Sequence, residues 1–120
     1  MENNMTEQRP WGTFTVLATS PRHQVKQIVV KAGQRLSYQY HTGRAEHWFV
    51  VRGSASVVLE GEALTLEPGQ SMDIPAGAKH RLGSASATEE VVFIEVQTGD
   101  YLGEDDIVRL EDDYHRISKS

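Results

Sequence analysis

Apolar and polar residues alternate along most of this chain, in short runs separated by turn residues. A period of two places successive side chains on opposite faces of an extended strand. Thr13 to Leu17, Val25 to Val30, Leu36 to His41, Glu46 to Val51, Ala55 to Leu59, Ala63 to Leu66, Ser71 to Ile74, His80 to Leu82 and Val91 to Val96 all read as strands. Turn signals lie between them, among them Ala32-Gly33-Gln34, Thr42-Gly43-Arg44, Gly53-Ser54, Glu60-Gly61-Glu62, Pro68-Gly69-Gln70 and Pro75-Ala76-Gly77. Many short strands at close spacing predict an all-β sandwich or small barrel. No long amphipathic helix is present; Glu104 to Ile117 has room for one short helix.

Alternation also assigns faces. Ser37, Gln39 and His41 share one side, away from Leu36, Tyr38 and Tyr40. Glu46, Trp48 and Val50 share another, and Phe93, Glu95 and Gln97 a third. Each set places polar residues beside apolar ones on a plausible interior face. A barrel with a chemically active interior has this pattern, and so has a core with satisfied polar groups.

Spacing sharpens the first reading. Gln39 and His41 leave the same face of one strand; Thr42-Gly43-Arg44-Ala45 can turn the chain, and Glu46 then opens the antiparallel partner. Pro75-Ala76-Gly77 can deliver His80 from another hairpin. One amide oxygen, one carboxylate and two imidazoles would then converge. That donor set suits a borderline divalent ion with one or two positions left for water or substrate. In the alternative, Gln39 only hydrogen-bonds inside the barrel. A buried Glu46 needs a cation in either case, a metal or an arginine. His23 and His115 read as surface or structural residues.

The 120 residues and 13.4 kDa fit one domain. A net charge of -5 disfavours a bulk-electrostatic nucleic-acid binder. Without cysteine, a disulfide scaffold, a thiolate zinc site and cysteine catalysis are excluded. No apolar run approaches the roughly 20 residues that cross a bilayer, so no membrane partner is expected. The polar N-terminus lacks the features of a secretory signal, and a cytoplasmic location is the expectation. Residues 1–8 read as a flexible tail and residues 9–120 as the domain, including an acidic stretch with Glu104, Asp105, Asp106, Glu111, Asp112 and Asp113.

The two glycine-bounded segments, Gly33 to Gly53 and Gly69 to His80, match the two cupin motifs, with Gln39 where the first motif usually has a histidine. Longer runs resemble the cupin domain of type II mannose-6-phosphate isomerases, often fused to a mannose-1-phosphate guanylyltransferase. These are Arg9-Pro10-Trp11-Gly12, Val25-Lys26, Leu36 to His41, Arg44-Ala45-Glu46-His47-Trp48, Ile74-Pro75-Ala76-Gly77, His80-Arg81-Leu82, and Ile94 to Gly99 leading into Tyr101 to Arg109. The resemblance implies an all-β cupin jelly-roll barrel with a short C-terminal extension, and interconversion of mannose 6-phosphate and fructose 6-phosphate. It places the metal ligands on Gln39, His41, Glu46 and His80. Zinc is favoured because no electron moves, with manganese, cobalt or nickel as alternatives.

For the isomerisation, Glu95 is the first candidate base and His47 the second. Arg81, assigned a catalytic role, and Arg44 are the first choices for the substrate phosphate, ahead of Lys26; in the alternative, these two arginines form ion pairs with Glu95 or the acidic C-terminal stretch. Gln97 joins Arg44, Lys26 and His47 as a substrate-binding candidate. Three departures stand out: Thr42-Gly43 for a common His-His pair, Ser84 for an asparagine, and Tyr114-His115-Arg116 for Tyr-Gly-Arg. The fused nucleotidyltransferase half has no counterpart in these residues, so sugar-nucleotide synthesis is not expected. A homodimer is implied by the resemblance. The competing reading is a non-catalytic sugar or sugar-nucleotide binding module; an iron dioxygenase fits the donor set less well.

Overall fold

The structure, a computed structural model, describes residues 6–117. These form eleven β-strands: β1 (Thr6–Arg9), β2 (Gly12–Thr19), β3 (His23–Val30), β4 (Tyr38–Tyr40), β5 (Arg44–Arg52), β6 (Ala55–Leu59), β7 (Glu62–Leu66), β8 (Ser71–Ile74), β9 (His80–Ser84), β10 (Val91–Gly99) and β11 (Val108–Glu111). All pairings are antiparallel. One sheet runs β1-β2-β3-β10-β5-β8 and the other β11-β4-β9-β6-β7. The fold is all-β, as the alternation predicts, and is the cupin jelly roll that the resemblance implies.

Two expectations are corrected. Thr6 to Gln8, expected in a flexible tail, belong to β1, which pairs with β2 through Thr6↔Thr15 and Arg9↔Gly12; residues 1–5 lie outside the described residues. No helix forms in 104–117. Val108 to Glu111 instead add β11 to the free edge of β4, because an open strand edge offers unpaired backbone groups that a short segment can satisfy.

Two turns show how local sequence sets the register. Glu60 and Gly61, at φ 48° and 83°, form the two-residue connection between β6 and β7, the backbone twist such hairpins require. Gly53 turns the chain between β5 and β6 at φ 83°, and a Cβ there would lie 2.3 Å from the Glu90 carbonyl oxygen. Only glycine fits that approach.

Cross-strand register divides the interior along the strands. At one end Val91 faces Val30, and Phe93 faces Ile28 and Val50. Two residues further along β10, Glu95 faces Lys26 and Trp48; two more, and Gln97 faces Gln24 and Glu46. The apolar end, with Val30, Val50, Val57, Val91 and Phe93 almost fully buried, supplies the hydrophobic stabilisation. Truncating Phe93 to alanine there would cost about 3–5 kcal/mol. The polar end buries Lys26, Gln39, His41, Arg44, Glu46, His80, Glu95 and Gln97, a concentration of polar and ionisable groups that a core built only for stability would avoid.

Candidate metal centre and active site

Each side chain of the polar end arrives from a defined element. Glu46 comes from β5 in the first sheet. Gln39 from β4 lies opposite His80 from β9 in the second, and His41 follows β4 directly. The two sheets therefore bring the donors together from opposite walls. Ligand atoms of His41, Glu46 and His80 lie within 4.8 Å of one another, and all three residues are buried. His41 Nε2 is 3.3 Å from Glu46 Oε2, and His80 Nε2 is 3.9 Å from Glu46 Oε1.

The outer contacts fix which ring nitrogen is free. His41 Nδ1 donates to the Asp106 carbonyl at 2.6 Å, and His80 Nδ1 to the Ala78 carbonyl at 2.9 Å. A neutral imidazole donating through Nδ1 presents its lone pair at Nε2, so both lone pairs face Glu46. Gln39 donates its amide to the Ser37 hydroxyl at 3.0 Å and the Ser37 carbonyl at 3.3 Å, which leaves its amide oxygen as the free donor atom. These residues fit a divalent cation, which His41, Glu46 and His80 would hold with Gln39 available as a fourth ligand.

Arg44 competes for the same carboxylate. Its Nε and Nη2 both lie 2.9 Å from Glu46 Oε2, and Nη2 is 3.2 Å from His41 Nε2. Its Nη1 is buried with no partner among the described residues. Trp48 donates its indole N–H to Glu46 Oε1 at 2.9 Å. Glu46 is thus held from several sides before any ion binds.

Two carboxylates are driven apart. Burial disfavours the charge on Glu46, but the positive charge of His80 when protonated, of Arg44 and of His41 when protonated outweighs it and holds the group down at about 2; a bound cation would take the place of the two imidazolium charges. Glu95 is pushed up to about 8 by burial and by the charge of Glu46, against the opposing pull of Lys26 and Arg44. Gln97 donates to Glu95 Oε2 at 2.6 Å. Burial also lowers the pKa of His41, keeping it neutral as a ligand must be.

The cavity gathers Gln39, His41, Arg44, Glu46, His80, Glu95 and Lys26. Three sequence-based candidates fall elsewhere. Arg81 alternates with His80 and Leu82 on β9 and so leaves the opposite face; it donates to the Leu36 carbonyl at 2.9 Å and pairs with Glu111 at 3.3 Å and Asp113 at 3.5 Å. Its catalytic assignment is corrected to an anchor for the C-terminal segment. His47 points outward for the same reason, half exposed and 2.6 Å from Asp73, away from the cavity as base or substrate ligand. Gln97 is fully buried behind Glu95 and orients it without lining the cavity.

Sequence reasoning missed four contributors. Arg9, Arg109 and Arg116 line the mouth of the cavity. Asp106, in the acidic stretch near the C-terminus, clasps the loop after β4: its carboxylate accepts from Thr42 N and Oγ1 at 3.0 Å and from Gly43 N at 2.7 Å. The only sequence signal for Asp106 and Arg109 is the family-specific run around them. Arg9 carries none beyond its place beside Pro10-Trp11-Gly12.

Comparison with known proteins agrees with this architecture. The family described as mannose-6-phosphate isomerase C-terminal matches residues 1–112. The chain is 51% identical over 108 residues to the xanthan biosynthesis protein XanB of Xanthomonas campestris pv. campestris strain B100, which covers 90% of this chain and 23% of XanB. It is 46% identical over 118 residues to the alginate biosynthesis protein AlgA of Pseudomonas aeruginosa, covering 98% of this chain and 24% of AlgA. The chain therefore spans about a quarter of the length of these relatives. Among solved structures, the capsular polysaccharide assembling protein CapF of Staphylococcus aureus superposes with a TM-score of 0.78 at 21% identity, over 92% of this chain and 35% of CapF. An RmlC-like cupin from Shewanella frigidimarina gives 0.73 at 18% identity, over 85% of this chain and 87% of its own. At such identities these two structures speak for the fold alone.

Proposed function

The chain belongs to the mannose-6-phosphate isomerase C-terminal family, and on that premise we propose that it is a metal-dependent aldose–ketose isomerase converting mannose 6-phosphate to fructose 6-phosphate. The observation that carries this reading is a single cavity that holds the His41, Glu46 and His80 group beside a second buried carboxyl, Glu95, with the two acids pushed in opposite directions. Divergent environments of this kind separate an electrostatic or ligand role from an acid–base role.

Isomerisation moves a proton between C1 and C2 of the open-chain sugar. The group that carries it must be able both to take and to return it, so a pKa near the working pH is favourable. Glu95, at about 8, meets that requirement. It would accept the C2 proton and deliver it to C1. Gln97 fixes the orientation of its carboxyl, and Lys26, directly across the strand pair, faces it. The unpartnered Nη1 of Arg44 is a donor for a substrate oxygen. A divalent cation, zinc by preference, held by His41, Glu46 and His80 would supply Lewis acidity to the sugar oxygens as negative charge develops.

Glu95→Gln keeps the shape of the site and removes the base. Turnover of mannose 6-phosphate, followed by fructose 6-phosphate formation in a coupled assay, should fall by about 10²–10⁴-fold. Metal content should be unchanged. Full activity in this variant would remove Glu95 from the mechanism. The wild-type protein should lose activity on chelation and regain it with added metal; binding of the sugar phosphate without turnover in the metal-loaded protein would favour a binding module instead.

A further inference from the structure

The cavity, of about 80 Å³, is lined both by Glu95 with the His41, Glu46 and His80 group and by arginines from other parts of the chain. A sugar phosphate with its reacting carbons beside Glu95 would reach toward those arginines. Four of the five cations lining this cavity already have partners of opposite charge, Arg9 with Glu7 and Arg116 with Asp112 among them. Arg44 pairs with Glu46, and Lys26 with Glu104. Arg9, Arg109 and Arg116 come from distant parts of the chain: the end of β1, the middle of β11 and the segment after it.

Arg109 is the least compensated. Its Nε is buried with no hydrogen-bond partner, and it makes no carboxylate ion pair among the described residues. Arg9 and Arg116 are near enough to add their charge to the burial that lowers its pKa. A partly buried cation without a matching carboxylate costs stability unless it serves an anion, and of these three arginines Arg109 alone lacks such a pair among the described residues; Asp112, bound to Arg116, acts on it only at longer range. Arg9 is held in place rather than loose: its guanidinium lies 4.8 Å from the centre of the buried Phe14 ring, and it pairs with Glu7. Arg116 is clasped by Asp112 through Nε at 2.8 Å and Nη2 at 3.0 Å.

Arg109 lies opposite Gln39, which lies opposite His80, so the three residues form a row across β11, β4 and β9. Two strand spacings, about 10 Å, separate the backbone of Arg109 from that of His80. An extended hexose chain bearing a terminal phosphate can bridge a gap of this order.

We propose that Arg109, flanked by Arg9 and Arg116, forms the subsite that binds the phosphomonoester end of the substrate and fixes which end of the sugar meets Glu95. Guanidinium groups match phosphate oxygens in fork geometry, and the dianion supplies the missing countercharge. This inference rests on the sugar-phosphate reading above, but its test does not depend on turnover.

The test is calorimetric binding of mannose 6-phosphate, inorganic phosphate and unphosphorylated mannose to the wild-type chain, Arg109→Gln and Arg109→Lys, with thermal melts establishing that each variant is folded. Arg109→Gln should weaken mannose 6-phosphate and inorganic phosphate by about 10–100-fold, the effect of losing a charged hydrogen bond. Mannose binding should be unchanged, and Arg109→Lys should recover part of the loss. In turnover, Arg109→Gln should raise KM with kcat nearly constant. Mannose 6-phosphate affinity within twofold of wild type in folded Arg109→Gln overturns the subsite, even where turnover persists. Phosphate binding that Arg109→Gln abolishes in a chain without turnover supports the subsite and removes the isomerase reading.

Discussion

Asp106→Ala tests whether the acidic C-terminal run supports the metal centre. The carboxylate accepts three hydrogen bonds from Thr42 and Gly43, and the carbonyl of the same residue accepts the Nδ1 proton of His41. One residue thus ties the C-terminal segment to the loop after β4 and sets the tautomer of a candidate ligand. A hydrogen bond to a charged group contributes about 1.5–3 kcal/mol, but Asp106 is partly exposed and water would replace some of what is lost. The net cost should be about 1–2 kcal/mol, a fall in Tm of about 5–10 °C. With the clasp gone, the carbonyl that orients His41 is no longer fixed, and zinc affinity, read by competition with a chromophoric chelator, should fall by about 10-fold or more. Asp106→Asn keeps one acceptor oxygen and should fall between. The hydrogen bonds from Thr42 hold the Asp106 pKa below its ordinary value. A depressed carboxylate stabilises the fold above its unfolded pKa, about 3.9, and that contribution disappears as pH falls through the lower folded value. Wild type should therefore lose the advantage over Asp106→Ala only in acid, below about pH 4. Zinc affinity within twofold of wild type in a variant whose Tm has dropped as expected would refute the link between clasp and ligand.

Other expectations separate scaffold from site. Arg81→Met removes a buried anchor and should destabilise the fold by about 1–3 kcal/mol in a denaturant melt while leaving the KM for mannose 6-phosphate unchanged; a raised KM at unchanged stability would return Arg81 to the site. His47→Ala, on the outer face, should alter neither turnover nor metal content, and a hundredfold loss of kcat would contradict its placement. The exposed Phe49 and Val51 on β5, beside edge strand β8, suit a self-association surface, so light scattering should give twice the 13.4 kDa chain mass; a monomer at high concentration would refute it.

The sequence by itself determined the strands, their inward faces and the donor set. Alternation alone placed Ser37, Gln39 and His41 together, and Glu46 with Trp48, because a period of two leaves no other choice in an extended chain. Motif spacing added His80. Alternation also carried the means to exclude His47 and Arg81, each one residue out of phase with an inward-facing neighbour. What only the tertiary structure decided is how distant segments meet. Arg9 and Arg116 reach the same mouth because β1 and the C-terminal segment flank it, and Arg109 joins the row of Gln39 and His80 because β11 covers an open edge. Asp106 becomes a clasp instead of a solvated charge because its partners lie more than sixty residues away. Local periodicity fixes which way a side chain points; the cross-strand register between remote segments fixes what it finds there.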